Sequence, residues 1–154
     1  MNQFRVKKAP LWACNWLIAA GIYNLVWGAF VIGWPNALFD LIGAERPNYP
    51  EIWQCVGMIV GVYGLGYLVA ALDPRTHWPI VLIGLLGKVF GPIGYFNAVA
   101  HESLPPLFGI TILFNDLIWW LPFGFILLDA YRHQSVAVAR QGKLNLARSP
   151  FLRF

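Results

Sequence analysis

Four apolar runs dominate this sequence, and each is long enough to cross a bilayer. They extend from Leu11 to Trp34, Trp53 to Leu72, Trp78 to Ala100 and Leu107 to Asp129. A helix needs roughly 20 residues to traverse the hydrocarbon core. Breakers separate the runs: Trp34-Pro35-Asn36 after the first, Asp73-Pro74 after the second and Pro105-Pro106 before the fourth. Apolar residues make up 58% of the chain and charged residues only 12%, whereas a soluble domain carries about a quarter charged residues. A soluble fold of this size has no room to hide so much apolar surface. A closed barrel also satisfies backbone polar groups in lipid, but it is built from shorter, alternating segments. The continuous runs predict an all-α integral membrane four-helix bundle over residues 1–132, followed by a basic tail over residues 133–154.

Lysine and arginine predict its orientation. Arg5, Lys7 and Lys8 precede the first run, Arg75 lies in the second connection, and Arg132, Arg140, Lys143, Arg148 and Arg153 follow the fourth. The first connection balances Arg46 against Asp40, Glu45 and Glu51, and the third has no Lys or Arg. The positive-inside rule therefore places both termini in the cytoplasm and the protein in the bacterial inner membrane. Trp12, Trp16, Trp34, Trp53 and Trp78 fall near the predicted helix ends, where an interfacial aromatic belt belongs. The N-terminal basic residues and the apolar run after them resemble a signal peptide. The run exceeds an h-region in length, so a retained first helix is expected. The formal charge of +4 is read as attraction to membrane lipids with anionic headgroups, and nucleic acid is not an expected partner. The connection from Pro35 to Ile52 is expected to hold a short interfacial helix. The tail is expected either to fray against the membrane or to dock a partner subunit.

Small residues mark where membrane helices meet. Gly57, Gly61 and Gly64 form one stripe, and Gly84, Gly87, Gly91 and Gly94 form another at helical spacing. These stripes predict close packing of the second span on the third, or contact with another subunit. Gly91-Pro92 predicts a local loosening of the third helix.

The polar residues inside the spans carry the chemistry. Lys88 lies ten residues into the third run, about 15 Å deep at the helical rise. Similar bookkeeping brings Asn24, Asn115 and Asp116 to its level, and Trp119 shares the Asn115 face. An ionisable residue at this depth points to function. Two readings stand side by side: a Lys88–Asp116 pair that sets helix register, and a ligand site in which Trp119 lines a pocket for a quinone or isoprenoid-like lipid.

The remaining candidates are sparser. Cys14 and Cys55 have no CxxC spacing and are expected near opposite ends of the bundle, too far apart for a disulfide. A metal site from Glu51, His101 and Glu102 would require separate loops to converge, so no metal is expected. No particular cofactor can be named from these residues.

Several stretches together carry a family resemblance: Tyr23-Asn24-Leu25-Val26-Trp27-Gly28, Pro47 through Met58, Gly84-Leu85-Leu86-Gly87-Lys88 with Gly91-Pro92, and Asn115 through Trp120. They resemble a family of small bacterial four-helix membrane proteins, sometimes labelled alkyl hydroperoxide reductase and broadly similar to DoxX-like proteins. The resemblance covers nearly all of the membrane region. The label implies peroxide reduction through thiols, which the expected placement of the cysteines opposes.

Small size, glycine faces and the long tail make an accessory or ligand-binding subunit of a larger membrane assembly the leading functional expectation, with no catalytic set recognised. One alternative is a membrane enzyme acting on a quinone or isoprenoid-like lipid, with Lys88 and Asp116 as acid and base. Another is a small proton-coupled transporter.

Overall fold

A computed structural model describes residues 9–148, and the side-chain surroundings of residues 9–136. Arg5, Lys7, Lys8 and the terminal Ser149-Pro150-Phe151-Leu152-Arg153-Phe154 lie outside the described residues. Three long helices, α1 (Leu11–Gly33), α3 (Pro50–Leu72) and α4 (Trp78–Ala100), each cross the bundle once, and a short helix α2 (Ala37–Ile42) lies in the first connection. The fourth crossing is composite. A 3-10 turn at Pro106–Phe108 leads into α5 (Gly109–Ile112), a π-helical turn at Leu113–Leu117 and α6 (Ile118–Arg148). Four helical spans are long and apolar enough to cross a membrane, and the chain is an all-α four-helix bundle of the membrane-spanning kind. In lipid the backbone has no water to bond, so an apolar run must satisfy its own peptide groups as a helix. Proline marks the boundaries: Pro10 caps α1, Pro50 opens α3, Pro79 opens α4 and Pro105 precedes the fourth crossing.

Large apolar side chains such as Leu11, Val26, Val62, Phe96 and Leu121 face outward, as a lipid solvent allows. The interior holds Leu17, Tyr67, Val81, Trp119, Phe123 and Ile126. Tyr67 meets Phe123 edge-on, with ring centroids 5.0 Å apart.

The glycine stripes do not pair as the sequence predicts. The stripe on α3 packs on α1, not on α4. A Cβ on Gly28 would lie 2.5 Å from the Gly57 carbonyl oxygen, and one on Gly64 would lie 2.8 Å from that of Gly21. Two backbones approach this closely only where side chains are missing. Gly21 and Gly28 belong to the same face as Asn24, spaced three and four residues from it. That spacing was available in the sequence as a signal for this contact. On α4 the glycines serve other ends. Gly84 accommodates the Tyr67 ring, Gly91 faces the Asp116 carboxylate, and added Cβ atoms on Gly87 and Gly94 would meet nothing within 4 Å. α4 packs chiefly on α6 and the π-helical turn.

At one end of the bundle α2 terminates at Gly43, whose φ of 64° suits glycine. Asp40 and Arg46 pair across that turn at 2.7 Å. Phe39 of α2 joins Trp53 and Phe108 in an aromatic cluster, with Phe39–Trp53 centroids 5.5 Å apart and Trp53–Phe108 centroids 6.1 Å apart. Trp53, expected in an interfacial belt, is half-buried against these two rings near the end of the bundle. At the opposite end, Arg75 in the α3–α4 turn bridges to Asp129 of α6 at 2.8 and 3.2 Å. Nearby, hydrogen bonds from the Thr76 hydroxyl and the Arg75 amide hold the Asp73 carboxyl below its usual range. The expected division between membrane domain and tail at residue 132 falls inside α6, whose backbone runs on to Arg148.

Candidate functional site

Proline at position 92 begins the construction of the bundle's polar centre. It has no N–H to offer the carbonyl of Lys88, four residues earlier. That carbonyl instead accepts the Trp120 indole N–H at 3.1 Å. The missing helix bond therefore becomes a tether from α4 to α6. Trp120→Phe is expected to cost about 1–3 kcal/mol by stranding a carbonyl at membrane depth. In a Pro92→Ala background, where the α-helical bond re-forms, the same substitution should cost little. Reversible unfolding in mixed micelles measures this double-mutant cycle, and equal costs in the two backgrounds would show that the tether is unimportant.

The π-helical turn supplies the facing wall. A π turn widens the backbone ladder, and such turns recur at functional sites. Within it, the Asn115 main-chain carbonyl accepts a hydrogen bond from Lys88 Nζ. The Phe114 carbonyl accepts the Trp119 indole N–H at 3.1 Å. Lys88 Nζ also lies 5.8 Å from the Trp119 ring centroid, within cation–π range. Trp119 is wedged against Tyr23 and Trp16 of α1, with centroids at 5.6 and 6.2 Å, and against Phe123 below it.

Asn24, Lys88 and Asp116 are all buried. A Cβ on Gly64 would lie 3.1 Å from Asn24 Cβ, which fixes Asn24 on the face turned toward α3. The Asp116 carboxylate packs over Gly91, where a Cβ would lie 2.9 Å from Oδ2. Lys88, Asn115, Asp116 and Trp119 therefore sit in one central region, drawn from α4 and the composite fourth crossing, while Asn24 is buried at the α1–α3 contact beside Gly64. The direct Lys88–Asp116 pair expected from depth is not formed. The π-helical turn carries the Asn115 carbonyl to the ammonium, while Asp116 points at the glycine of the next turn of α4. Asn115 Oδ1 in this centre and Asn24 Oδ1 at the α1–α3 contact are buried without a hydrogen-bond partner among the described residues. Buried polar atoms normally find one, so this centre has hydrogen-bonding capacity unused by the protein itself. Tyr23 and Tyr67 also border the region. They escaped sequence reasoning because tyrosine in an apolar run reads as packing.

The cysteines are far apart. Gly21 lies against Gly64 and Gly28 against Gly57, so α1 and α3 run antiparallel and Cys14 lies opposite residue 71. Cys55 is sixteen residues along α3 from that position, about 24 Å away at 1.5 Å per residue. A disulfide needs Cα atoms within about 7 Å.

Comparison with characterised sequences places these features beside a family other than the one the motifs resemble. The chain is 28% identical over 94 residues to a protein of Cupriavidus pinatubonensis named Disulfide bond formation protein B, covering 53% of this chain and 57% of that one. It is 32% identical over 98 residues to the protein of the same name from Cupriavidus metallidurans, covering 54% and 58%. The chain thus spans a little over half the length of the curated relatives it matches. No family model and no solved structure matches it. These relatives overturn the DoxX-like and alkyl hydroperoxide reductase resemblance. Short motifs of glycine, tryptophan and asparagine in apolar runs are common to many membrane bundles and specify a family poorly. The relatives also remove support for a non-catalytic accessory subunit, since their name denotes a reaction. Together with the four apolar spans, they make the chain a multi-pass protein of the bacterial inner membrane.

Proposed function

We propose that this protein is a membrane enzyme of redox type that acts on a quinone or isoprenoid-like lipid at the centre of its bundle. The observation that carries the reading is the buried layer itself. A lysine and a carboxylate lie near the Asn115 amide oxygen, which has no partner among the described residues, beside a tryptophan wall. Polar groups at this depth are costly, so their retention points to a use. The relatives' name supports the same reading by chemistry. Joining two thiols releases two electrons and two protons, and a protein that does this in a membrane must pass them to an acceptor. A quinone takes up two electrons and two protons. Lys88 would orient a quinone oxygen through the N–H groups its Asn115 bond leaves over, and Trp119 would stack beside the ring. Asp116 would hold or release a proton close by, and the Asn115 amide would fix the head group's orientation. The thiol half of such a reaction does not run through a Cys14–Cys55 disulfide in this chain, because about 24 Å of helix separates them.

A short-chain benzoquinone titrated into the purified protein in nanodiscs tests the proposal. The expected result is saturable quenching of tryptophan fluorescence, with affinity at least tenfold weaker in Lys88→Met. Hydrogen bonds to charged groups contribute about 1.5–3 kcal/mol, which corresponds to at least that factor. Quenching that rises linearly and identically in both proteins reports only quinone dissolved in lipid, and would refute the site.

A further inference from the structure

At the end of the bundle where α1 begins and α6 leaves the span, Trp12, Phe125, Leu128, Asp129 and Arg132 line a cleft of about 360 Å³. Its walls are apolar and turned outward, with Trp12 42%, Phe125 58% and Leu128 50% exposed. In a membrane protein such walls face lipid chains. The rim is charged, and the two charges are not equivalent. The carboxylate of Asp129 is engaged by Arg75 through two hydrogen bonds. Asp129 is therefore already engaged, and Arg132, one turn beyond Leu128 and exposed, has no ion-pair partner among the described residues and stands as the cation at the mouth of the cleft.

We infer that this cleft is a binding site for an anionic phospholipid, with one acyl chain along Trp12, Phe125 and Leu128 and the phosphate at Arg132. Apolar walls alone would accept any lipid. The selectivity comes from the charge at the rim, because a basic residue at a membrane surface favours anionic headgroups over zwitterionic ones. Tryptophan belongs at this depth, with its ring in the headgroup region. The site is separate from the polar centre of the bundle and stands whether or not a quinone binds there.

The test uses the full chain in micelles containing phosphatidylglycerol and phosphatidylcholine of matched acyl chains, with retained lipids counted by native mass spectrometry. The wild type is expected to keep one phosphatidylglycerol in preference to phosphatidylcholine. Arg132→Gln should lower that preference about fivefold, and Arg132→Lys should preserve most of it. Arg132 is exposed, so these variants are expected to fold, and circular dichroism checks that they do. A triple variant of the more distal basic residues, Arg140→Gln, Lys143→Gln and Arg148→Gln, should retain the preference. Equal retention of both lipids by the wild type would overturn the site. So would loss of preference in the triple variant but not in Arg132→Gln, because the attraction would then belong to the distal helix. Free glycerol 3-phosphate should not displace the lipid. Displacement by it would show that the apolar cleft contributes nothing.

Discussion

Gly28→Leu is expected to prevent the bundle from assembling. A Cβ at that position would lie 2.5 Å from the Gly57 carbonyl oxygen and 3.1 Å from the Gly61 amide nitrogen. Both obstacles are backbone, so no rotamer change relieves them, and α1 must move away from α3 along its length. Overpacking a core usually costs about 1–3 kcal/mol. A clash between two helix backbones should exceed that range, because the tight contact around Gly21, Gly57 and Gly64 is lost along with it. Gly94→Leu is the matched control, since an added Cβ there would meet nothing within 4 Å. Unfolding in mixed micelles, followed by circular dichroism, should show Gly94→Leu within about 0.5 kcal/mol of the wild type. Similar behaviour of the two leucine variants would mean that the α1–α3 contact does not hold the fold together.

The second large effect is expected at Lys88. Lys88→Met removes the donor to the Asn115 carbonyl and the cation nearest Trp119. It also leaves Asp116 buried without a neighbouring positive charge. Removing one member of a buried charge set typically costs about 3–5 kcal/mol, whereas removing both can be nearly neutral. Lys88→Met is therefore expected to be strongly destabilised, and Lys88→Met with Asp116→Leu to recover much of the loss. The recovery should be incomplete, because the two side chains are not directly paired and the Asn115 carbonyl still lacks its donor. The double variant should fold yet fail to bind a short-chain benzoquinone saturably. A folded double variant that binds the quinone like the wild type would show that these residues serve only helix packing.

These expectations differ in how visible they were from the sequence. The apolar runs, their proline boundaries and the presence of Asn24, Lys88, Asn115 and Asp116 within the spans were legible, because span length and helical rise are set by the bilayer and the backbone. The Gly21 and Gly28 contact was legible in principle from its spacing around Asn24. The choice between α1 and α4 as partner of the α3 stripe was not, because a glycine face specifies closeness and leaves the neighbour open. Depth likewise brought Lys88 and Asp116 to one level without saying which way either side chain turned. The π-helical turn made that decision, and no propensity in Leu113-Phe114-Asn115-Asp116-Leu117 announces a π turn. The Trp120 tether is intermediate. Pro92 showed that the Lys88 carbonyl would lose its helical partner, and only the packing of α4 on α6 determined what replaced it.

Hydropathy and peptide-group satisfaction act locally along the chain, and they suffice for a membrane-spanning, all-α, four-crossing bundle with ionisable groups inside it. Long-range packing set the rest: α1 clasps α3, Lys88 meets the Asn115 carbonyl in place of Asp116, and Arg75 engages Asp129 beside a cleft at the bundle's end. Those outcomes depend on helix rotation and on one widened turn. Both arise from competition among distant side chains for the same space.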